Sequence, residues 1–188
     1  MFRRHVLTGA LALTAAPALA QAPAGPPSGP PTRIRGTIVS VAGNVMKVKS
    51  RDDRVLDVEL LPSLTVVSLK KVELSSIKDT DFVGIASRTG ADGKMTAIEV
   101  LVFPEAMRGT GEGSYPWDLE PGSTMTNGTV KGAVTAANGR ELTVAYKDQS
   151  NKITVLPNAP VVTFQSADRA DLLAGKKIFA VSPANPEG

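Results

Sequence analysis

Five side chains in the stretch after residue 103 are of types suited to recognising a ligand or a partner. They are one arginine, two aromatic residues and two carboxylates: Arg108, Glu112, Tyr115, Trp117 and Asp118. Arginine and aromatic residues are enriched at binding surfaces because they combine large rigid area with directed hydrogen bonds. We take these five as the candidate binding set. The structural alternative is that Trp117 packs two β units together while Arg108 pairs with Glu112 or Asp118 to hold the loop.

Catalytic chemistry has few candidates in this chain. It contains no cysteine and a single histidine, His5, which lies in an N-terminal segment that we expect to be removed. Thiol catalysis, Ser-His-Asp triads and His/Cys zinc or copper sites are then excluded for the mature chain. We predict no catalytic residue, no metal site, no cofactor and no enzymatic activity.

The glycine-rich run at 109–113 invites comparison with phosphate-binding loops. Such loops lead into a helix N-terminus and often carry a lysine that reaches the phosphate. Here Pro116 and a polar loop follow, and no lysine is placed nearby. We predict instead that these glycines allow tight turns.

Three close pairs of aspartates could suggest a glycosidase or a calcium site: Asp52/Asp53, Asp79/Asp81 and Asp168/Asp171. Nothing fixes their separation, and none has the spacing of a calcium-binding EF-hand loop. We predict that they cap helical turns or lie in solvated loops.

The first twenty residues have the pattern of an export signal. Arg3 and Arg4 precede a short apolar run, and Ala18-Leu19-Ala20 has the small-x-small form of a cleavage site. We predict cleavage after Ala20, a periplasmic location and no membrane span in the mature chain. The arginine pair fits a twin-arginine signal, and an ordinary secretory signal stays open as the alternative.

Removing the signal changes the charge. The net charge of +3 comes from 21 basic and 18 acidic residues, and loss of Arg3 and Arg4 leaves 19 minus 18, or +1. Nucleic-acid binding requires neutralising several phosphates. We therefore expect no nucleic-acid partner, and an unknown protein or small ligand of the periplasm instead.

The elements that must position the candidate residues are short strands. Residues 21–32 form a Pro/Gly-rich tether, and from residue 33 apolar residues alternate with polar ones over short runs separated by Gly, Pro and Asn turns. This pattern predicts an all-β protein with one or two short helical turns. We expect two tandem small OB-like barrels, at 33–103 and 127–188, joined by a connector at 104–126 whose glycines and prolines fit neither a helix nor a strand.

A repeat supports the two units. Residues 36–48 align with residues 132–144 without a gap, which places Gly36 opposite Gly132 and Val48 opposite Val144. The order of later elements also recurs, with a polar turn at 148–151 and a strand at 178–182 opposite 83–87. A tandem duplication is the simplest interpretation.

The second unit stops where the first continues into its closing strand, so we predict an incomplete second barrel. An open barrel has an unpaired edge, and such edges attract other strands. Either the chain is truncated, or another segment fills the gap. We expect the connector or a second protomer, in an edge-strand dimer, to cover the edge.

The runs GTIVSVAGNVMKVKS and DFVGIASRTGADGKMTAIEVLVFPEAMRGTGEGSYPWDLEPGSTMTNGTV resemble exported proteobacterial proteins of unknown function related to the DUF5666 OB-like domain. The resemblance covers most of residues 33–182 and is most specific in the connector. It implies a signal-bearing periplasmic protein with tandem small β-barrels and no established activity. Family members often carry a histidine where this chain has Ser114, and often continue beyond this C-terminus, which favours truncation.

Together these observations predict a non-enzymatic periplasmic binding or protein-interaction module. The alternative is an accessory component of envelope transport that binds a small ligand or metal ion through oxygen ligands. A carboxylate-based enzyme is the third class.

Overall fold

The structure is a computed structural model of the 188-residue chain that describes residues 31–136 and 139–183. The predicted signal and nearly all of the tether lie outside the described residues. Within the described residues, twelve strands and three short 3-10 helices make up the fold. The strands are β1 (Thr32–Ala42), β2 (Val45–Ser50), β3 (Val55–Glu59), β4 (Val67–Lys71), β5 (Phe82–Thr89), β6 (Met95–Val102), β7 (Gly113–Pro116), β8 (Thr124–Ala136), β9 (Gly139–Tyr146), β10 (Gln149–Val155), β11 (Val161–Ser166) and β12 (Lys177–Ser182). The all-β prediction is confirmed.

Alternating side chains explain the strands. In β2, Met46 and Val48 are buried whereas Val45, Lys47 and Lys49 face solvent. Successive residues of a strand point to opposite faces, so this period of two requires a half-buried strand.

Five strands close into an OB-like barrel. The pairing order is β10-β9-β8-β5-β6, and β6 then pairs in parallel with β10 to complete the circle. The barrel core is apolar and consists mainly of fully buried β-branched residues and leucine, which include Val83, Ile85, Val130, Leu142, Val144 and Ile153. Burial of these side chains is the main source of stability, because each contributes about 1.5–3 kcal/mol relative to an exposed position.

A second sheet has four strands in the order β12-β1-β2-β3. Its smaller core contains Ile38, Met46, Val48 and Leu60, with Ile178 packed against them. Among the described residues, no fifth strand joins β3 to β12, so this sheet stays open.

The two sheets exchange strands between the predicted units. The barrel combines β5 and β6 from residues 33–103 with three strands from the second unit, and the open sheet combines β1, β2 and β3 with β12. The units 33–103 and 127–188 therefore do not pair only within themselves, as the tandem arrangement led us to expect. The sequence pattern could not predict this exchange, because β5 and β12 are both short apolar strands. Alternation of apolar and polar residues alone does not determine whether either strand pairs with β1 or with β8.

Each unit thus contributes strands to the sheet of the other. One further pair, β4 with β11, also joins a strand of the first unit to a strand of the second. β4 and β11 pair antiparallel from Val67↔Ser166 to Lys71↔Val162, and β11 also pairs with β6. A 3-10 helix precedes β5 at Leu74–Ser76, and another precedes β12 at Arg169–Asp171. Apart from β6, each unit thus contributes the same elements in the same order.

The second of these 3-10 helices confirms one predicted role for the aspartates. The Asp168 side chain accepts a hydrogen bond from the Ala170 N–H at 2.7 Å, and Asp171 accepts one from the Asp168 N–H at 3.0 Å. This reciprocal capping box satisfies two backbone donors that a helix start leaves free.

The connector differs from its prediction. It was expected to contain neither helix nor strand, yet it includes a 3-10 helix at Glu105–Met107 and the strand β7, and β8 already begins at Thr124. β7 pairs with β8 from Gly113↔Asn127 to Pro116↔Thr124. The connector strand thus extends the barrel sheet, and it does not lie along the free edge of β3 or β12.

Two details of the repeat also need correction. Gln149, Ser150 and Asn151 were assigned to a turn but belong to β10, which starts directly after a turn at 147–148. In addition, both β1 and β8 carry a bulge, between Ile38 and Ser40 and between Val130 and Gly132. Superposing the bulges places Gly36 opposite Gly128 instead of Gly132, because the β8-β9 hairpin is longer than the β1-β2 hairpin.

Candidate functional site

The connector reaches the site through a series of tight turns. Gly109, Gly111 and Gly113 all have positive φ, at 85°, 58° and 144°. Residues with a Cβ rarely adopt this backbone region, so glycine is needed here for conformational reasons. The prediction of tight turns is confirmed for Gly109 and Gly111, which lie in the turn before β7, whereas Gly113 is the first residue of β7.

Arg108 and Glu112, two of the five candidate residues, fasten the connector to the barrel. The Arg108 guanidinium donates two 2.6 Å hydrogen bonds to the Glu105 carboxylate and one of 2.9 Å to the Thr80 carbonyl. Its carboxylate partner is therefore Glu105, and not Glu112 or Asp118 as the structural alternative supposed. The Glu112 carboxylate accepts a hydrogen bond of 2.9 Å from the backbone N–H of Lys147.

Trp117 and Tyr115 belong to a cluster that spans the two sheets. The Trp117 ring lies edge-on to Tyr115 of β7 at 6.2 Å and to Phe179 of β12 at 5.8 Å between ring centroids. The Arg33 guanidinium lies over the Trp117 ring at 4.4 Å, and that of Arg35 lies at 5.2 Å from Trp117. Trp117 therefore contacts both the barrel side and the open sheet.

Asp118 joins the cluster through an ion pair with Arg35. Its carboxylate accepts hydrogen bonds of 3.1 and 3.2 Å from Arg35, whose guanidinium also lies 4.1 Å from the Phe179 ring centroid. Partial burial raises the pKa of Asp118, but the hydrogen bonds and charge of Arg35 outweigh it and hold that pKa below its usual value. Arg51 adds hydrogen bonds to the carbonyls of Asp118 at 2.7 Å and Leu119 at 3.0 Å.

Sequence reasoning missed the other half of this cluster. Arg33, Arg35 and Phe179 lie far along the chain from Trp117, and Arg35 and Asp118 are 83 residues apart. One signal was present, because Arg33 and Arg35 occupy alternate positions of a strand and must share a face. Register then places Arg33 beside Val181 and Arg35 beside Phe179 on β12.

We define the aromatic–arginine surface by Arg33, Arg35, Trp117, Phe179 and Val181. Four of these side chains belong to β1 and β12 and lie on the outer face of the open sheet, opposite its apolar core, and Trp117 of the connector packs against them. Phe179 is 45% exposed and Val181 is 57% exposed. Apolar area therefore remains in water beside two guanidinium groups.

The same outer face is basic on its β12-β1 side, whereas Glu59 lies on it at the opposite edge, on β3. Lys47, Lys49 and Lys177 lie on it with the two arginines, and ion pairs join Lys47 to Asp57 and Lys49 to Asp53. In the part of the chain that the structure describes, Arg33 and Lys177 have no carboxylate partner. The face therefore offers positive charge that its own acids do not neutralise.

A polar row lies behind Tyr115 at one end of the barrel. The Asn127 amide donates to the Tyr115 hydroxyl at 3.2 Å, and Asn151 donates to Ser114 and Thr126 at 3.2 and 3.1 Å. Burial raises the pKa of Tyr115, and the positive charge of Arg33 opposes that shift. These contacts fix the position of Tyr115 against Trp117.

Two general features of the site complete the description. Within residues 31–136 and 139–183, no group of three or more His, Cys, Asp or Glu side chains is placed to hold a metal ion. None of the helices in this part of the chain has the length and apolarity needed to cross a membrane.

The fold and the surface define an all-β protein with an OB-like barrel and an exposed aromatic–arginine surface. Comparisons with family models, curated proteins and solved structures find no match to the chain.

Proposed function

We propose that this protein is a non-enzymatic interaction module of the periplasm that binds a protein partner through the aromatic–arginine surface. The observation that carries the proposal is the exposure of Phe179 and Val181 beside Arg33 and Arg35 on one sheet face. Apolar side chains of this size on a strand normally turn toward a core. Here they face solvent, next to the residue types most enriched at binding hot spots.

The two guanidinium groups of the surface are also preorganised for binding. Arg35 is fixed by Asp118, and Arg33 is stacked on Trp117, so both guanidinium groups have lost much of their rotational freedom before a partner arrives. A preorganised side chain loses less entropy on association, which favours affinity. Stacking of a cation on an aromatic face adds about 0.5–1 kcal/mol at exposed sites.

Charge specifies the partner further. Arg33 and Lys177 carry no carboxylate partner among the described residues, and both lie on the outer face of the β12-β1 pair. A partner segment that offers acidic side chains around an apolar or aromatic one would satisfy both properties of the surface. Electrostatic complementarity of this kind mainly raises association rates and specificity, and salt weakens it.

The test is capture from periplasmic extract by the mature chain, with chemical crosslinking to locate the contact. Phe179→Ser, Arg33→Glu and Trp117→Ala should each reduce crosslinking of the same partner while circular dichroism shows an intact fold. Val134→Ser is the matched control, because Val134 is 65% exposed but lies on the β8-β9 hairpin. Partner binding that survives Phe179→Ser and Arg33→Glu together, or that Val134→Ser abolishes, would contradict the proposal.

A further inference from the structure

In the barrel, β6 lies between β5 and β10. In the open sheet the equivalent position lies between β12 and β3, and no strand within residues 31–136 and 139–183 fills it. We infer that this position is a binding cleft for an extended segment of a partner polypeptide, which inserts as a fifth strand and completes the second barrel. The inference goes beyond the proposed function, because it concerns the free edges of β3 and β12 and does not need the aromatic–arginine surface. Strand addition is a known mode of peptide recognition, in which backbone hydrogen bonds give affinity and alternate side chains give specificity.

The barrel within the same chain shows how the completed sheet would look. The order β12-β1-β2-β3 repeats the order β5-β8-β9-β10, with the same antiparallel directions and the same bulge in the long first strand. In the barrel, β6 bridges the two outer strands of that series, β5 and β10. The open sheet has the same two outer positions and no bridging strand among the described residues.

Burial at equivalent positions shows what the missing strand leaves uncovered. Through pairing with Gly36 and Gly128, Ile178 of β12 takes the place of Val83 of β5. Ala180 likewise takes the place of Ile85. Val83 and Ile85 are fully buried, whereas Ile178 and Ala180 are half-buried.

The other edge shows the same difference. Val58 pairs with Met46 as Ile153 pairs with Leu142, so Val58 and Ile153 are equivalent. Ile153 is fully buried under β6, and Val58 is half-buried. Inward-facing apolar side chains on both edges of the open sheet are thus less buried than their equivalents in the closed barrel.

The described strands of this chain do not supply the occupant. β7, the connector strand, is hydrogen-bonded to β8, and β4 is paired with β11. A separate polypeptide segment is the occupant to which we commit.

The direction of the occupant follows from β6. That strand runs antiparallel to β5 and parallel to β10, with Met95 beside Ile153 and Val102 beside Val83. The partner strand should therefore run antiparallel to β12 and parallel to β3. Its first residues would lie near Val58 and its last near Ile178.

Side chains around the cleft define the partner sequence. Ala180 replaces the larger Ile85, so the partner residue in the place of Val100 has room to be bulkier than valine. Glu59 lies on the outer face where the partner strand begins, and Lys177 lies where it ends. The cleft therefore fits a segment of about eight residues, the length of a typical strand, with alternating apolar positions, a basic residue at the start and an acidic one at the end.

The experiment uses the mature chain and a synthetic copy of its own closing strand, residues 94–103, as probe. Hydrogen exchange should slow at amides of β3 and β12 when the peptide is added, by about tenfold at ten times its Kd. A peptide with leucine in place of Val100 should bind more tightly than the native sequence. The same peptide N-methylated at alternate residues is the control and should give no protection, since it cannot form the ladder.

Three results would overturn the inference. One is the absence of protection at β3 and β12 at saturating probe. Another is protection of β5 and β10, which would mean that the probe displaces β6 from the barrel. The third is protection of β3 and β12 without peptide, rising with protein concentration together with a dimer in sedimentation, which would make a second copy of the chain the occupant. Loss of periplasmic capture with Phe179→Ser tests only the aromatic–arginine surface, so failures of the two proposals are distinguishable.

Discussion

Gly36 and Gly128 occupy the same position in the two halves of the molecule. A Cβ built on Gly36 would collide with the carbonyl oxygen of Lys49, and one built on Gly128 would collide with that of Ala145. Each glycine lies two residues before a bulge and beneath the next strand of its hairpin. Because both glycines make the same close approach at the same distance from a bulge, they are equivalent positions. This equivalence defines how the two repeats superpose.

Substitution of these glycines tests that superposition. Gly36→Ala and Gly128→Ala should each destabilise the protein by about 1–3 kcal/mol, because the added methyl group forces the backbone of two paired strands apart. Gly132→Ala should change stability by less than about 0.5 kcal/mol, since its Cβ would meet no atom within 4 Å. Urea unfolding followed by circular dichroism measures all three. A tolerated Gly128→Ala with a damaging Gly132→Ala would support the ungapped alignment of the sequence instead.

The exchange of strands predicts that the two cores unfold together. Met46 of the open sheet and Leu142 of the barrel are equivalent and both buried. Met46→Ala and Leu142→Ala should each cost about 2–5 kcal/mol and shift one common transition, because β5 and β12 connect each core to the other unit. Trp117 fluorescence and far-ultraviolet circular dichroism should give the same midpoint. Two transitions, with only one moved by each variant, would indicate independent barrels.

Local structure could be predicted from the sequence because short-range rules determine it. The β1-β2 hairpin follows from alternation and the Gly43-Asn44 turn, in which Gly43 has φ 59°. The capping role of Asp168 follows from its position before a helical turn. The equivalence of residues 178–182 with 83–87 was also apparent from the order of elements.

Strand partners could not be predicted, because they depend on contacts far apart in sequence. β5 and β12 are both apolar, and each could satisfy β1 or β8 by pattern alone. Only half of the site could be predicted, for the same reason. Trp117 and Asp118 were identified by residue type, whereas Arg35 contacts them only because the fold places β1 beside the connector.

The bridging position of Trp117 predicts a contribution to stability. Trp117→Ala should cost about 1–2 kcal/mol, less than the 3–5 kcal/mol typical of a buried aromatic residue, because the ring is only half-buried. Trp117→Phe should recover most of this loss by keeping edge contacts with Phe179. Urea unfolding by circular dichroism is the measurement, with Val134→Ala as control. Unchanged stability in Trp117→Ala would mean that the ring does not join the two sheets.

The Arg35–Asp118 ion pair predicts a small pH dependence of stability. Arg35 holds the pKa of Asp118 below its unfolded value of about 3.9, so the folded state binds this proton less readily. The stabilisation is then fully present above about pH 5 and is lost as the pH falls through the lowered pKa. The Asp118 side chain is 40% exposed, so the size should be below about 1 kcal/mol.

Asp118→Asn isolates this effect. The variant should be less stable than the wild-type chain at pH 7, and the difference should shrink toward zero near pH 2 as the carboxyl group of the wild type becomes protonated. Asp79→Asn is the matched control for the removal of an exposed carboxylate. Added salt should weaken the effect at pH 7, since screening acts on partly exposed charges. A difference between wild type and Asp118→Asn that is constant from pH 7 to pH 2 would assign the role of Asp118 to packing instead of charge.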